Sequence, residues 1–411
     1  MKRILFILLM GVQAVPLGAT TISVGKGKTV TAIRAAINKA LDGDTLLVYP
    51  GIYREKNLIV NKRISLIGIN YPVVDGENKY ENISIKSPGV LVQGFKVVNS
   101  GVSSIEDFAG IKIYNTRDVI IRNNRLENTF FGIYSQYGTN CIIENNEISA
   151  HNLEEQQSGN GIHCWKSDSM RIIGNKIRGH RDGIYFEFVT HSLIWRNDSQ
   201  KNLRYGLHFM FSNHDSYVTN IFRNNGAGVA VMFSHHVKMF NNHFEENWGD
   251  ASYGILLKEI SDSHIENNRF VKNTIGIYME GVSRLQMKKN SFERNGWAMK
   301  IQASCMDITV SSNNFLGNTF DVGTNGSLVL NTFNGNYWDK YEGYDLNRNR
   351  IGDIPYRPVS MYSVIVERNP PAMMLFRSFM TSLLDKTEKV LPSLTPENLK
   401  DIYPLMKPLR L

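Results

Sequence analysis

Asp182-Gly-Ile-Tyr-Phe-Glu-Phe188, Tyr205-Gly-Leu-His-Phe-Met-Phe211 and Ala227-Gly-Val-Ala-Val-Met-Phe233 repeat one seven-residue phrase at steps of 23 and 22 residues. They read as stacked rungs of one solenoid. The same glycine with an apolar follower recurs at Gly110, Gly132, Gly161, Gly254 and Gly276, with a relaxed copy at Ala298. Most steps are 22 or 23 residues, and two longer ones mark insertions. A fixed period in this range identifies a repeat architecture, in which each unit packs on its neighbours. The 411 residues therefore form one elongated body, an all-β, right-handed parallel β-helix with three strands per rung. It carries an N-terminal capping helix and a C-terminal helical tail.

Within a rung, the first strand follows the glycine. The second lies around 119–121, 193–195, 237–240 or 285–287, and the third follows paired asparagines. Asn124, Asn175, Asn220, Asn268 and Asn290 each stand eight residues before a rung glycine or Ala298. Stacked amides at a tight turn satisfy one another and the nearby backbone, so this column is structural. Asp198 holds the offset before Gly206, a departure compatible with the same turn.

Outward from the rungs, residues 1–19 have the form of a secretory signal: Lys2 and Arg3, the apolar run Ile4 to Met10, then small Gly18 and Ala19. The mature chain then starts near Thr20 and is exported to an oxidising compartment. No later run reaches the roughly 20 apolar residues of a membrane span. Cys141, Cys164 and Cys305 are few, odd in number and out of register, so disulfides are not the framework. The formal charge of +8 falls to +6 without Lys2 and Arg3. Basic residues are scattered rather than clustered between aromatics, which argues against a nucleic-acid partner.

Residues 20–63 form an N-terminal cap, where Ala32, Ile33, Ala36, Ile37 and Ala40 make a helical stripe over 29–41. Residues 64–335 form the β-helix and 336–358 a turn-rich cap. Within that cap, 345–353 echoes a calcium loop with oxygen ligands on alternate residues; Arg348 and Arg350 oppose that reading, and a hydrogen-bonded turn is the alternative. Residues 359–411 carry Pro370-Pro371, a Met- and Phe-rich run over 373–384, and prolines at 392, 396, 404 and 408. This composition suits a partner-docking tail or a helix folded back on the solenoid.

All ten histidines lie between His151 and His264. Residues at one offset on neighbouring rungs stand about 4.8 Å apart, and alternate residues of a strand face opposite ways. The apolar columns one and three residues after the glycine face the core, which places Cys164 there. The outward columns are then His163, Tyr185, His208 and Ala230 at plus two, and Trp165, Glu187, Met210, Met232, Lys258 and Glu280 at plus four. Met210 thus neighbours Met232, with His208 on the same face. Two thioethers and an imidazole suit cuprous copper, and an apolar protein-contact patch is the alternative reading of the same residues. A second column, eight residues after the glycine, holds His191, His214 and His236, then Asp262. It is a separate candidate metal site or a stacked turn ladder. Glu154 and Glu155 lie in an insertion that would cover this face.

Many such solenoids cut or epimerise acidic polysaccharides, chemistry that needs clustered carboxylates. The outward columns supply only Glu187 and Glu280, several rungs apart. The polysaccharide lyase or epimerase reading is therefore the alternative, and a non-enzymatic role is expected.

Gly159-Asn-Gly-Ile-His163, Asp182 to Phe188, Arg204-Tyr-Gly-Leu-His-Phe-Met-Phe-Ser212, Gly226-Ala-Gly-Val-Ala-Val-Met-Phe-Ser234, Asn336-Tyr-Trp and the segment from Tyr344-Asp to Pro358 resemble NosD. This family comprises periplasmic accessory proteins of nitrous oxide reductase maturation. The resemblance implies copper handling: receipt from a lipoprotein chaperone, work with an ABC-type permease and ATPase, and assembly of the reductase's copper-sulfide centre. Membrane association would be peripheral, through the permease, with the C-terminal tail as the contact.

Overall fold

The computed structural model describes residues 18–103, 106–151, 158–249, 251–326, 328, 330–390 and 399–411. Most of the expected signal segment, Glu154, Glu155 and the prolines at 392 and 396 lie outside these residues. Among the described residues the strands form three parallel sheets of 14, 12 and 13 strands, each strand bonded to those one rung away. No helix among them is long and apolar enough to cross a membrane.

The repeated phrase lies on the 12-stranded sheet, as Asp182–Glu187, Tyr205–Met210 and Ala227–Met232. The phrases pair in register, Leu207 with Val229 and Met210 with Met232. Glycine holds this column because a Cβ at Gly206 would meet the Gly228 carbonyl oxygen at 2.6 Å. Core-facing residues are fully buried, among them Cys164, Phe186, Phe209 and Val231. A file of rings from Phe222 through Phe244, Phe270, Phe292 and Phe315 to Trp338 stacks at 4.0–5.5 Å. Each such side chain contributes about 1.5–3 kcal/mol by burial alone, so the core is a continuous rod.

The asparagine column is a hydrogen-bonded ladder. Asn220 donates from its backbone N and from Nδ2 to Asn242 Oδ1, at 2.9 and 3.0 Å, and accepts in turn from Asn197. Asn197, not Asp198, holds this place before Gly206. That rung is one residue longer, so the offset slips, and Asp198 pairs instead with Arg223. A second amide ladder runs from Asn202 through Asn225, Asn247, Asn273 and Asn295 to Asn318.

Winding begins at Thr21–Val24, paired with Thr45–Val48, inside the segment read as a cap. The predicted helix is confined to α1, Ile33–Lys39, because Val30 bridges to Val24 as extended chain. α1 buries Ile33, Ala36 and Ile37 across the open end. At the far end, α2 (Met361–Arg368) folds back and packs Tyr362 and Val366 against Ile275, Trp297 and Phe320 on the 12-stranded sheet. A 3-10 turn at Pro370–Leu375 leads into α3, Phe379–Val390. In the 345–353 loop, Asp345 accepts from Asn349 N and Arg350 N, and Asp353 accepts from Leu346 N, so these carboxylates cap the loop's own amides.

Candidate metal-binding face

On the outer face of the 12-stranded sheet the plus-two column is a stack of rings. Tyr134 lies 4.5 Å from His163, His163 4.8 Å from Tyr185, and Tyr185 4.6 Å from His208. Lys112 Nζ sits 4.7 Å over the Tyr134 ring at one end, and Ala230 ends the file at the other. The column points away from the core, as parity requires. It is nevertheless buried, since each ring covers the next; His208 is 5 % exposed and His163 8 %. The expectation of a solvent-facing imidazole beside the thioethers is corrected on this point.

His208 sits at the focus. Tyr205 tilts against it at 4.9 Å, and its Nδ1 lies 3.5 Å from Asp182 Oδ2, an ion-pair distance without the alignment of a hydrogen bond. Both ring nitrogens lack hydrogen-bond partners. Burial alone would raise Asp182, but the paired hydrogen bonds from Arg204, with help from His208, outweigh it and hold the carboxyl at about 2. Burial, with the Arg181 charge, pushes His163 down to about 3, so this imidazole is a neutral donor atom at neutral pH. Its Nε2 is also unpartnered.

Two residues on from His208, Met210 is half-buried with Met232 beside it on the next rung, also half-buried. The Tyr185 hydroxyl donates to Met210 Sδ at 3.6 Å. Burial raises that phenol to about 12, which keeps it a donor. Beyond the methionines, Phe188, Phe211 and Phe233 stack face to face at 5.2 and 5.1 Å in left-handed turn positions, exposed along their edges. The His208 imidazole and the thioethers of Met210 and Met232 are of the donor types that suit a cuprous ion, while His163 stands two rungs from Met210. The Nε2 atoms of His163 and His208 are desolvated without a hydrogen bond in return, a penalty an ion would relieve.

The second column lies around the corner, where this sheet turns into the 14-stranded one. His214 and His236 stack at 4.7 Å, and His191 stacks on His214 at 5.3 Å. His191 is drawn aside by Asp168, its Nδ1 standing 2.9 Å from Oδ1. The structure puts His235 in its place. His214, His235 and His236 each offer a nitrogen within 4.8 Å of the others. Sequence reasoning followed the plus-eight column alone and so missed His235 at plus seven, though the His235-His236 pair was the visible signal. The seven expected ligands thus divide: His163, His208, Met210 and Met232 share one face, and His214 and His236 the corner, with His191 at its margin. The carboxylates of the outward columns, Glu187 and Glu280, stand four rungs apart, and Glu280 lies 3.5 Å from Lys258.

Fold and face together define a parallel β-helix whose outer sheet carries soft-metal donors rather than a row of carboxylates. Residues 148–343 match the family model described as "Periplasmic copper-binding protein (NosD)". The chain is 28 % identical over 356 residues to a probable ABC transporter binding protein NosD of Stutzerimonas stutzeri, covering 82 % of this chain and 80 % of that one. To the protein of the same description from Pseudomonas aeruginosa it is 25 % identical over 378 residues, covering 85 % and 86 %. Among solved structures, the catalytic unit of a GH87 α-1,3-glucanase from Streptomyces thermodiastaticus superposes with a TM-score of 0.57 at 15 % identity, over 79 % of this chain and 70 % of that one. The Dettilon tailspike protein gives 0.56 at 14 % identity, over 73 % and 66 %. At such identities the likeness is one of fold alone.

Proposed function

We propose that this chain is a non-catalytic carrier of cuprous copper. It receives the ion from a lipoprotein chaperone, works with an ABC-type permease and ATPase, and serves assembly of the copper-sulfide centre of nitrous oxide reductase. The observation that carries the reading is His208, a buried imidazole whose Nε2 has no partner and whose Nδ1 faces the Asp182 carboxylate, on the strand of Met210 and next to that of Met232. An unsatisfied buried polar group costs about 1–3 kcal/mol, and a ligand to a passing ion recovers that cost when loaded. Copper here is cargo: His208, Met210 and Met232 would hold it, and Tyr185 would steady Met210 through its hydroxyl. The names of the relatives support a transporter partner. So does the tail, where Met374 is 90 % and Phe379 80 % exposed, an apolar surface of the kind that marks interaction sites. It stands on the same sheet as the metal face, because α2 packs there.

Met210→Leu with Met232→Leu tests the reading. Both side chains are half-buried, and a volume-conserving swap costs less than about 1.5 kcal/mol even in a core, so the fold is retained. Anaerobic titration with Cu+ against a chromogenic chelator should show binding abolished; wild-type affinity in the double variant rejects the site.

A further inference from the structure

His214, His235 and His236 stand on the two rungs that carry Met210 and Met232, but around the corner of the sheet. The Nδ1 atoms of His235 and His236 are 2.8 Å apart, so one neutral ring donates to the other. Nitrogens bound at 2.0–2.1 Å to a common tetrahedral ion lie roughly 3.3–3.4 Å from each other, so this pair has to open by only about half an ångström to share one. His214 completes a set within 4.8 Å. The backbone fixes the corner: His214 and His236 hold left-handed turn positions, φ 59° and 57°. His214 N donates to the His235 carbonyl, and His235 N to Asn213 Oδ1 at 2.8 Å.

The donor set is all nitrogen. Imidazoles suit the divalent ions at the top of the stability order, Cu2+ and Zn2+, whereas thioethers select Cu+. We propose that His214, His235 and His236 form a second metal site, distinct from the thioether face, that takes a divalent transition ion. Three protein ligands at an exposed corner leave a fourth position open to water or to an incoming donor, the arrangement of an exchangeable rather than a sealed site. His191 walls the corner on one side, fixed by Asp168. The assignment stands on its own residues and survives if the thioether face binds nothing.

The test uses the full mature chain and the pair His214→Asn and His236→Asn. Asn140 fills the same turn position with φ 52°, so asparagine is already accommodated there. Zn2+ is titrated against a chromogenic chelator and Cu+ is titrated separately without oxygen. The expected result is a loss of more than about tenfold in Zn2+ affinity with Cu+ affinity unchanged. The Met210→Leu, Met232→Leu chain should give the reverse. Wild-type Zn2+ affinity in the histidine variant overturns the site, and loss of both ions from a variant with the wild-type unfolding temperature overturns its separateness. Failure of the thioether reading appears elsewhere, as unchanged Cu+ affinity in the methionine variant.

Discussion

Replacing Asp401 by alanine probes how the last rung is closed. Down the solenoid each ladder asparagine donates its backbone N and Nδ2 to the Oδ1 of the next, as Asn313 does to Asn336 at 3.0 and 2.9 Å. Asn336 has no further rung. Asp401 returns along the chain to take its place: Oδ2 accepts from Asn336 N and Nδ2, both at 2.9 Å, and from Trp338 Nε1 at 3.1 Å, while Oδ1 accepts from Gly335 N at 2.9 Å. Alanine strands three buried donors, and at about 1–3 kcal/mol each the loss is several kcal/mol, toward the low end where water enters. Asparagine would not rescue it fully, since its NH2 must face a donor. In a solenoid stability sums over rungs and their interfaces, so the damage should stay local. Hydrogen exchange should accelerate across 313–338 and 399–411 while the 182–232 rungs keep their protection. Wild-type exchange at Gly335 to Trp338 and an unshifted unfolding temperature would refute the ladder-terminus argument.

Two further outcomes are expected. Burial, partly offset by the Gly159 carbonyl, lowers His180 from 6.5 to about 4. The unfolded chain then binds more protons between those values, so this contribution is whole above pH 6.5 and is lost as pH falls toward 4, by roughly 3 kcal/mol. His180→Asn, which resembles its ladder neighbour Asn202, should flatten the acid limb of unfolding temperature against pH; an equally steep limb contradicts the assignment. Met374→Asp with Phe379→Asp changes two exposed side chains, so Cu+ affinity and unfolding temperature should match wild type. Capture by the detergent-solubilised permease complex should be lost, and retained capture would remove the tail from the docking surface.

The fold was legible because a solenoid writes its geometry into one period. Glycine spacing gave the rungs, and alternation after each glycine gave the inward residues, from Ile184 and Phe186 to Val229 and Val231. What slipped was local. Asp198 took the nominal offset before Gly206, and only the hydrogen bonds show Asn197 in the ladder, because insertions shift a count but not a turn. The helix at 29–41 was overextended for a related reason: apolar periodicity cannot tell that Val30 is taken by a bridge to Val24.

The site was half legible, and the missing half follows from what parity leaves out. Period two says which side of a strand a residue faces, so Met210 beside Met232 followed directly. It does not say what else faces that way. Large rings at Tyr134, His163, Tyr185 and His208 fill successive places in one column, and rings about 4.5–5 Å apart exclude water between them. An outward column of small residues would have been wet; this one is a second, thinner packed layer outside the first. Under the proposed function that burial matters, because it leaves His208 Nε2 with neither water nor a hydrogen bond, a cost that a bound ion would relieve. A copper site on this face, as proposed, would therefore depend on the tyrosines as much as on the sulfurs. A Tyr185→Ala chain, which opens the stack on one side of both histidines, should weaken Cu+ binding although both thioethers and His208 remain.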